Sequence, residues 1–157
     1  MKKIKLTNNK VALVDDGDYN VLNKYKWSAV KHCKTFYAER NSKSKDGKWK
    51  TVRMPVVILK IPKGKEVDHR NGNGLDNQRK NLRVCTRSQN AMNRGIINSN
   101  TSGFKGVHWD GVSKKWRAQI TYGGKYKHLG FFQNISQAYK AYCMACVKYH
   151  KDFSKIN

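Results

Sequence analysis

The chain has 157 residues, with 33 Lys and Arg against 10 Asp and Glu, a formal charge of +23 far beyond what solubility requires and of the sign that attracts polyphosphate. Four Trp, eight Tyr and five Phe are interleaved with that charge, which excludes a disordered basic tail. No apolar run approaches the ~18 residues of a membrane span and MKKIKLTNNK lacks the apolar core of a leader, so an intracellular protein with reduced thiols and no membrane partner is expected.

Residues 1–60 read as a β-rich region of short strands, IKL (Ile4 to Leu6), KVALV (Lys10 to Val14), KTFYAER (Lys34 to Arg40) and WKTVRM (Trp49 to Met54), with SKSKDGK as a hairpin turn. Phe36, Ala38 and Arg40 alternate with Tyr37 and Glu39, predicting one buried face and one wet face. No function is legible in this region.

Residues 61–85 are broken by Pro62, Gly64, Gly72 and Gly74 and punctuated by Val67, Leu75, Leu82 and Val84, a loop anchored at apolar points. Thr86 followed by Gln89 is a capping box, predicting a helix from about Arg87 to Arg94. GIINSNTSG, Gly95 to Gly103, has linker composition, which places a domain boundary near Ser99 and divides the chain into 1–98 and 99–157.

Beyond it, GVHWD, KWRAQIT and YKHLGFF read as three antiparallel strands, and a helix begins at Asn134 with Gln137 completing a second capping box. Trp116, Ala118 and Ile120 alternate with Arg117, Gln119 and Thr121, so one triplet packs under the helix and the polar triplet faces outward. Trp116, Leu129 and Phe131 are expected in the core. CMAC, Cys143 to Cys146, has the spacing of half a zinc site, but Cys33 and Cys85 form no second pair, so helix packing is the expected role.

The chemistry is concentrated in VDHRNGNGLDNQRKNLRVCTRSQN, Val67 to Asn90. Asp68 is a hard anionic oxygen ligand and the Asn90 side-chain carbonyl a neutral one, a pair that suits Mg²⁺ or Mn²⁺. His69 can take a proton from an attacking water, and Asn81 could hydrogen-bond its other ring nitrogen and fix the tautomer. Arg79, Arg83, Arg87 and Arg94 are candidate phosphate clamps.

With twelve residues from His69 to Asn81 and nine from Asn81 to Asn90, this segment resembles the HNH endonucleases, the ββα-metal nucleases, in their phage homing branch. The resemblance implies Asp68 and Asn90 as metal ligands, His69 as general base and Asn81 as the residue orienting it, with Asn93 a candidate supporting group. One departure is in the strand before the loop, which reads RMHRLIL in that family and RMPVVIL here, Pro55-Val56 replacing a His-Arg pair.

Residues 102–157 resemble the apetala-two type (AP-two/ERF) DNA-binding domain in SGFKGVHWD, KWRAQI, KHLGFF, AYKAYCMACVKYH and the closing Asn157. By position the resemblance implies Lys105, His108, Asp110, Arg117, Gln119, Thr121, Tyr126 and His128 on a sheet that contacts duplex DNA, with a base preference different from that family's.

The expected architecture is therefore α+β: a β-rich region leading into a ββα-metal module, then a three-stranded antiparallel sheet on one helix. The expected function is a site-directed, metal-dependent endonuclease of phage or mobile-element type that nicks double-stranded DNA as a monomer; a double-strand break would need a dimer or two events. Its rivals are a sequence-specific DNA-binding regulator with a decayed nuclease site and a nonspecific packaging protein.

Overall fold

The computed structural model describes residues 1–32 and 34–156; Cys33, expected as a reduced thiol, and Asn157 lie outside the described residues. The chain forms two compact units, Met1–Thr86 and Arg87–Asn157, dividing before the helix that follows Thr86 rather than within GIINSNTSG.

In the first unit β1 (Lys2–Lys5) pairs antiparallel with β2 (Val11–Val14), and α1 (Asp16–Leu22) follows. β3 (Ser28–His32), β4 (Thr35–Lys43) and β5 (Trp49–Arg53) form an antiparallel sheet in chain order, α2 (Met54–Leu59) turns out of it, and β6 (Glu66–His69) pairs antiparallel with β7 (Leu82–Cys85). Their apolar sides meet in one core containing Ile4, Val14, Leu22, Trp27, Ala38, Met54 and Leu82. The Trp27 indole nitrogen inside it donates to Leu22 O at 2.8 Å, which satisfies the polar atom that burying a tryptophan brings along.

Three expectations for this region need correction. DGDYNVL was not expected as a helix, yet Asp16 and Asp18 stand in the first turn, where carboxylates complement the helix dipole, and Leu22 supplies the buried anchor. RMPVVIL, expected as a strand, is helix α2 from Met54 on: Pro55 sits in the first turn, where a missing N–H goes unnoticed, Met54 and Ile58 are buried one turn apart, and Lys60 ends the helix in the left-handed conformation (φ 47°). The face of β4 expected to be wet is covered as well, Glu39 retaining 6% of its surface and Tyr37 being half-buried.

In the second unit α3 (Arg87–Met92) precedes an antiparallel sheet of β8 (Val107–Asp110), β9 (Lys115–Tyr122) and β10 (Lys125–Phe132), with β9 central. α4 (Ile135–His150) starts where the capping residue predicts, the Asn134 side chain accepting from Ser136 N at 2.8 Å. Ala138, Tyr142, Ala145 and Cys146 of α4 bury against Val107, Ala118 and Ile120 of the sheet, the small residues allowing close approach.

Phe131, expected in the core, is 46% exposed, and Phe132 packs there instead. The reason is a bulge: the β9–β10 register shifts between His128 and Gly130, so Leu129 is the extra residue and the alternation reverses beyond it. The three described cysteines, Cys85, Cys143 and Cys146, are free thiols, and no cluster of His, Cys, Asp and Glu suited to a metal occurs among the described residues. Cys146 instead lies 3.3 Å from His150 Nδ1 inside the α4 core.

Gly106 has φ +74°, and a Cβ there would come within 2.1 Å of the Tyr142 ring and 2.7 Å of Gln119 O. Gly106→Ala should therefore destabilise the second unit by about 2 kcal/mol or more through overpacking and backbone strain together, read as a lowered thermal unfolding midpoint. An unchanged midpoint would show that the ring has room to move.

Candidate active site

Strands β6 and β7 are four residues each and place Asp68 opposite Arg83 and His69 opposite Leu82. The Asp68 and Arg83 side chains, 6% and 8% exposed, form an ion pair: Oδ2 accepts from Arg83 Nε at 2.7 Å and from Nη2 at 2.6 Å. Such a buried carboxylate is tolerable because a guanidinium supplies opposite charge and two donors at once.

The loop between the strands is tied down from several sides. Leu13 N donates to Leu75 O at 2.9 Å and Asn77 N to Leu13 O at 2.8 Å, so the loop runs as a short extension beside β2. Gly74 N donates to Thr35 Oγ1 at 3.2 Å, and a Cβ on Gly74 would fall 2.5 Å from Phe36 O and 2.6 Å from the Tyr37 ring, an approach only glycine permits. Arg79 closes the far side, its backbone N donating to Asp15 Oδ2 at 2.7 Å and its guanidinium to both oxygens of Asp18 at 2.8 and 2.7 Å.

Within the loop, buried Asp76 accepts from Asn71 Nδ2 at 2.8 Å and from Gln78 Nε2 at 2.7 Å. Asn81, expected to orient His69, serves the loop: its Nδ2 donates to Asp76 O at 2.7 Å and its Oδ1 accepts from Asn71 N at 3.0 Å. The position at the histidine is held by Asn77, fully buried, whose Oδ1 lies 3.2 Å from His69 Nε2. An amide oxygen only accepts, so Nε2 carries the proton and the lone pair is on Nδ1.

Burial pushes the His69 pKa below 6.5, a shift opposed by the Asn77 hydrogen bond and by the charges of Asp68 and Asp76. The neutral ring is thus the favoured form, which is the form a proton acceptor requires. Tyr37 of β4 packs edge-on against this ring, centroids 5.7 Å apart at 65°. Neither Asn77 nor Tyr37 stands out in the sequence: Asn71, Asn73 and Asn77 are equivalent amides there, and only the bridge between Leu13 and Asp76 turns Asn77 inward.

The remaining predicted residues separate by what they touch. Arg79 and Arg83, expected as phosphate clamps, have their guanidinium groups engaged by Asp18 and Asp68, whereas Arg87 and Arg94 of the second unit are exposed. Asn90 is half-buried on α3, and Asn93, the candidate supporting group, is buried.

On the second unit's sheet, His108, Arg117, Gln119, Thr121, Tyr126 and His128 lie on the face opposite Ala118 and Ile120, with Arg117 Nη2 donating to Gln119 Oε1 at 2.8 Å. Asp110 is occupied in its turn, Oδ1 accepting from Ser113 N at 2.7 Å. Lys105 is also spent: Nζ donates to Met92 O and Arg94 O, each at 2.6 Å, satisfying carbonyls at the end of α3 that no helical N–H reaches.

Removing Arg83 would take from buried Asp68 the guanidinium that balances its charge, so Arg83→Ala should cost about 3 kcal/mol, measured by denaturant unfolding. The His69 imidazole should titrate with a midpoint below 6.5 when followed by NMR of its ring signals, and a midpoint above that value would contradict the burial described.

Residues 60–92 match a family model described as HNH endonuclease, covering the β6–β7 hairpin, its loop and α3. The chain is also 42% identical over 65 residues to Protein 3.8 of Escherichia phage T7, an overlap of 41% of this chain and 54% of that protein, so it spans about half the length of this curated relative. No solved structure matches the chain. What the comparisons establish is an HNH endonuclease-like domain at residues 60–92.

Proposed function

We propose that the chain is a metal-dependent DNA endonuclease of the HNH type, related to phage homing enzymes, that nicks duplex DNA. The observation that carries this reading is the buried His69 ring, held by Asn77 at Nε2 and next in sequence to Asp68, within the segment that matches the HNH family model. In this role His69 Nδ1 accepts the proton of the attacking water as its oxygen bonds to phosphorus and the P–O bond to the leaving sugar oxygen breaks.

The donor chemistry fits a hard divalent ion. Asp68 is an oxygen ligand, Asn90 follows by the spacing within residues 60–92, and the thiols nearest in sequence are not clustered for a soft metal. Such an ion, Mg²⁺ or Mn²⁺, supplies Lewis-acid stabilisation of the phosphate and leaving oxygen. Arg83 compensates the Asp68 charge, while Asn81, through Asp76 and Asn71, keeps the loop in the shape that sets Asn77 on the ring.

For the second unit we propose that the exposed face of β8–β10, in the manner of an AP-two/ERF domain, holds the duplex through Arg117, Gln119, Thr121, Tyr126, His108 and His128. The polar donors on that face suit base edges and backbone alike. One candidate base in the chain accords with a monomer that cuts one strand.

The competing reading is a DNA-binding regulator, favoured by the engagement of Asp68 by Arg83. Supercoiled plasmid with Mg²⁺ separates them: conversion to the nicked form by the wild type, blocked by EDTA and reduced at least about 100-fold in His69→Ala, is expected. No conversion by the wild type at any Mg²⁺ or Mn²⁺ concentration would favour the regulator. Asp68→Ala should abolish nicking with DNA affinity retained, and equal loss of both would make its role structural.

A further inference from the structure

The covered face of the β3–β4–β5 sheet carries a second feature, a cleft of about 580 Å³ lined by His32, Glu39, Lys50, Thr51, Arg53 and neighbours. At its base Glu39, with 8% of its side chain exposed, accepts on one oxygen, Oε1, from Arg53 Nε at 2.8 Å and lies 3.0 Å from His32 Nε2. The pairing follows from register, since Arg53 stands directly across from Glu39 on β5.

Arg53 is thereby held without being used up. Only its Nε is spent on Glu39, its Cζ lies 5.4 Å from the centroid of the Tyr37 ring, and its terminal amino groups take no acceptor among the described residues. The side chain is 51% exposed. Lys50 stands across from Ser42, three residues from Arg53 and so on the other face of β5; it lines the cleft at its rim, is exposed and has no ion pair among the described residues. The cleft thus offers a pre-oriented guanidinium fork, with an ammonium at its rim, against a single carboxylate that Arg53 and His32 already engage.

Its place relative to His69 follows from Tyr37, whose ring packs against His69 and lies under Arg53. The Arg53 charge is felt at the imidazole, opposing its protonation. Tyr37 therefore sets the Arg53 guanidinium beside the candidate base.

We infer that Arg53 and Lys50, fixed by Glu39, His32 and Tyr37, form a subsite for a backbone phosphate of the nucleic-acid strand next to the one attacked at His69. The subsite deepens the endonuclease reading and rests on it for its neighbour. It supplies a phosphate contact near the base in a chain where Pro55-Val56 occupies the place of a His-Arg pair, and it gives the N-terminal sheet a role that its sequence does not announce.

The test is equilibrium binding of the full chain to a short labelled DNA duplex in EDTA, across a series of salt concentrations, so that no cleavage is needed. Removing one cation from a backbone phosphate should reduce the slope of log K against log salt by about 0.9. Arg53→Gln and Lys50→Gln should each flatten the slope by about that amount and weaken binding alike for all sequences, whereas exposed Lys24→Gln, outside the cleft, should leave it unchanged. Circular dichroism checks the fold; if Arg53→Gln unfolds because Glu39 is left without its partner, Lys50→Gln still carries the test.

Unchanged slopes in folded Arg53 and Lys50 variants overturn the subsite, as does an equal flattening in Lys24→Gln, which would mean diffuse surface charge. Flattened slopes in a protein that nicks no plasmid would uphold the subsite and remove the nuclease reading. Nicking with unchanged slopes would do the reverse.

Discussion

The buried pair of Asp68 and Arg83 fixes the rung from which the rest of the candidate site is built. A carboxylate with 6% of its side chain exposed needs a full counter-charge and donors, and Arg83 delivers both across the β6–β7 ladder. Because the pairing sets register, the next residue, His69, is placed opposite Leu82 and at the mouth of the 70–81 loop. A slip by one residue would turn each of Asp68 and His69 to the other face and take Arg83 from its place opposite Asp68.

The loop in turn depends on the N-terminal strands. Its backbone is bonded to Leu13, its Gly74 lies against β4 without room for a Cβ, and its Arg79 is held by Asp18 of α1. These ties are what drive Asn77 inward to His69, and they explain why Asp76, Asn77, Gln78 and Asn81 are buried in a stretch whose composition reads as solvated. Buried polar groups of this density need partners, and the bonds around Asp76 supply them to Asn71, Gln78 and Asn81, while Asn77 Nδ2 takes no acceptor among the described residues. The β3–β4–β5 sheet therefore turns one face to the hydrophobic core and the other to the histidine, with Tyr37 and Glu39 on the second face.

In the second unit the same economy appears in a different form. The sheet β8–β10 buries Val107, Ala118 and Ile120 under α4 and leaves a polar face outward. Its one irregularity, the bulge at Leu129, exposes Phe131 against His128, rings 4.8 Å apart, and so adds an aromatic surface to a face otherwise built of donors.

Much of this was legible in the residues. Strand extents in the second sheet, the Asn134 cap, the anchoring role of Leu82 and the HNH-like spacing around Asp68 and His69 are local or periodic properties, and local hydrogen bonding and alternation are written into neighbouring residues. Whether a particular asparagine or arginine reaches a particular partner is a long-range matter. Asn77 rather than Asn81 stands at the His69 ring because a backbone bridge to β2 decides it, and Arg79, Arg83 and Lys105 are occupied by Asp18, Asp68 and the end of α3 because tertiary neighbours compete for their donors. RMPVVIL is a helix since two buried side chains, Met54 and Ile58, lie one helical turn apart, a spacing that four consecutive apolar residues disguise. The amino-acid order by itself determined which chemical groups stand near one another along the chain; packing decided which of them face His69, because burial and competing partners act between segments far apart in sequence.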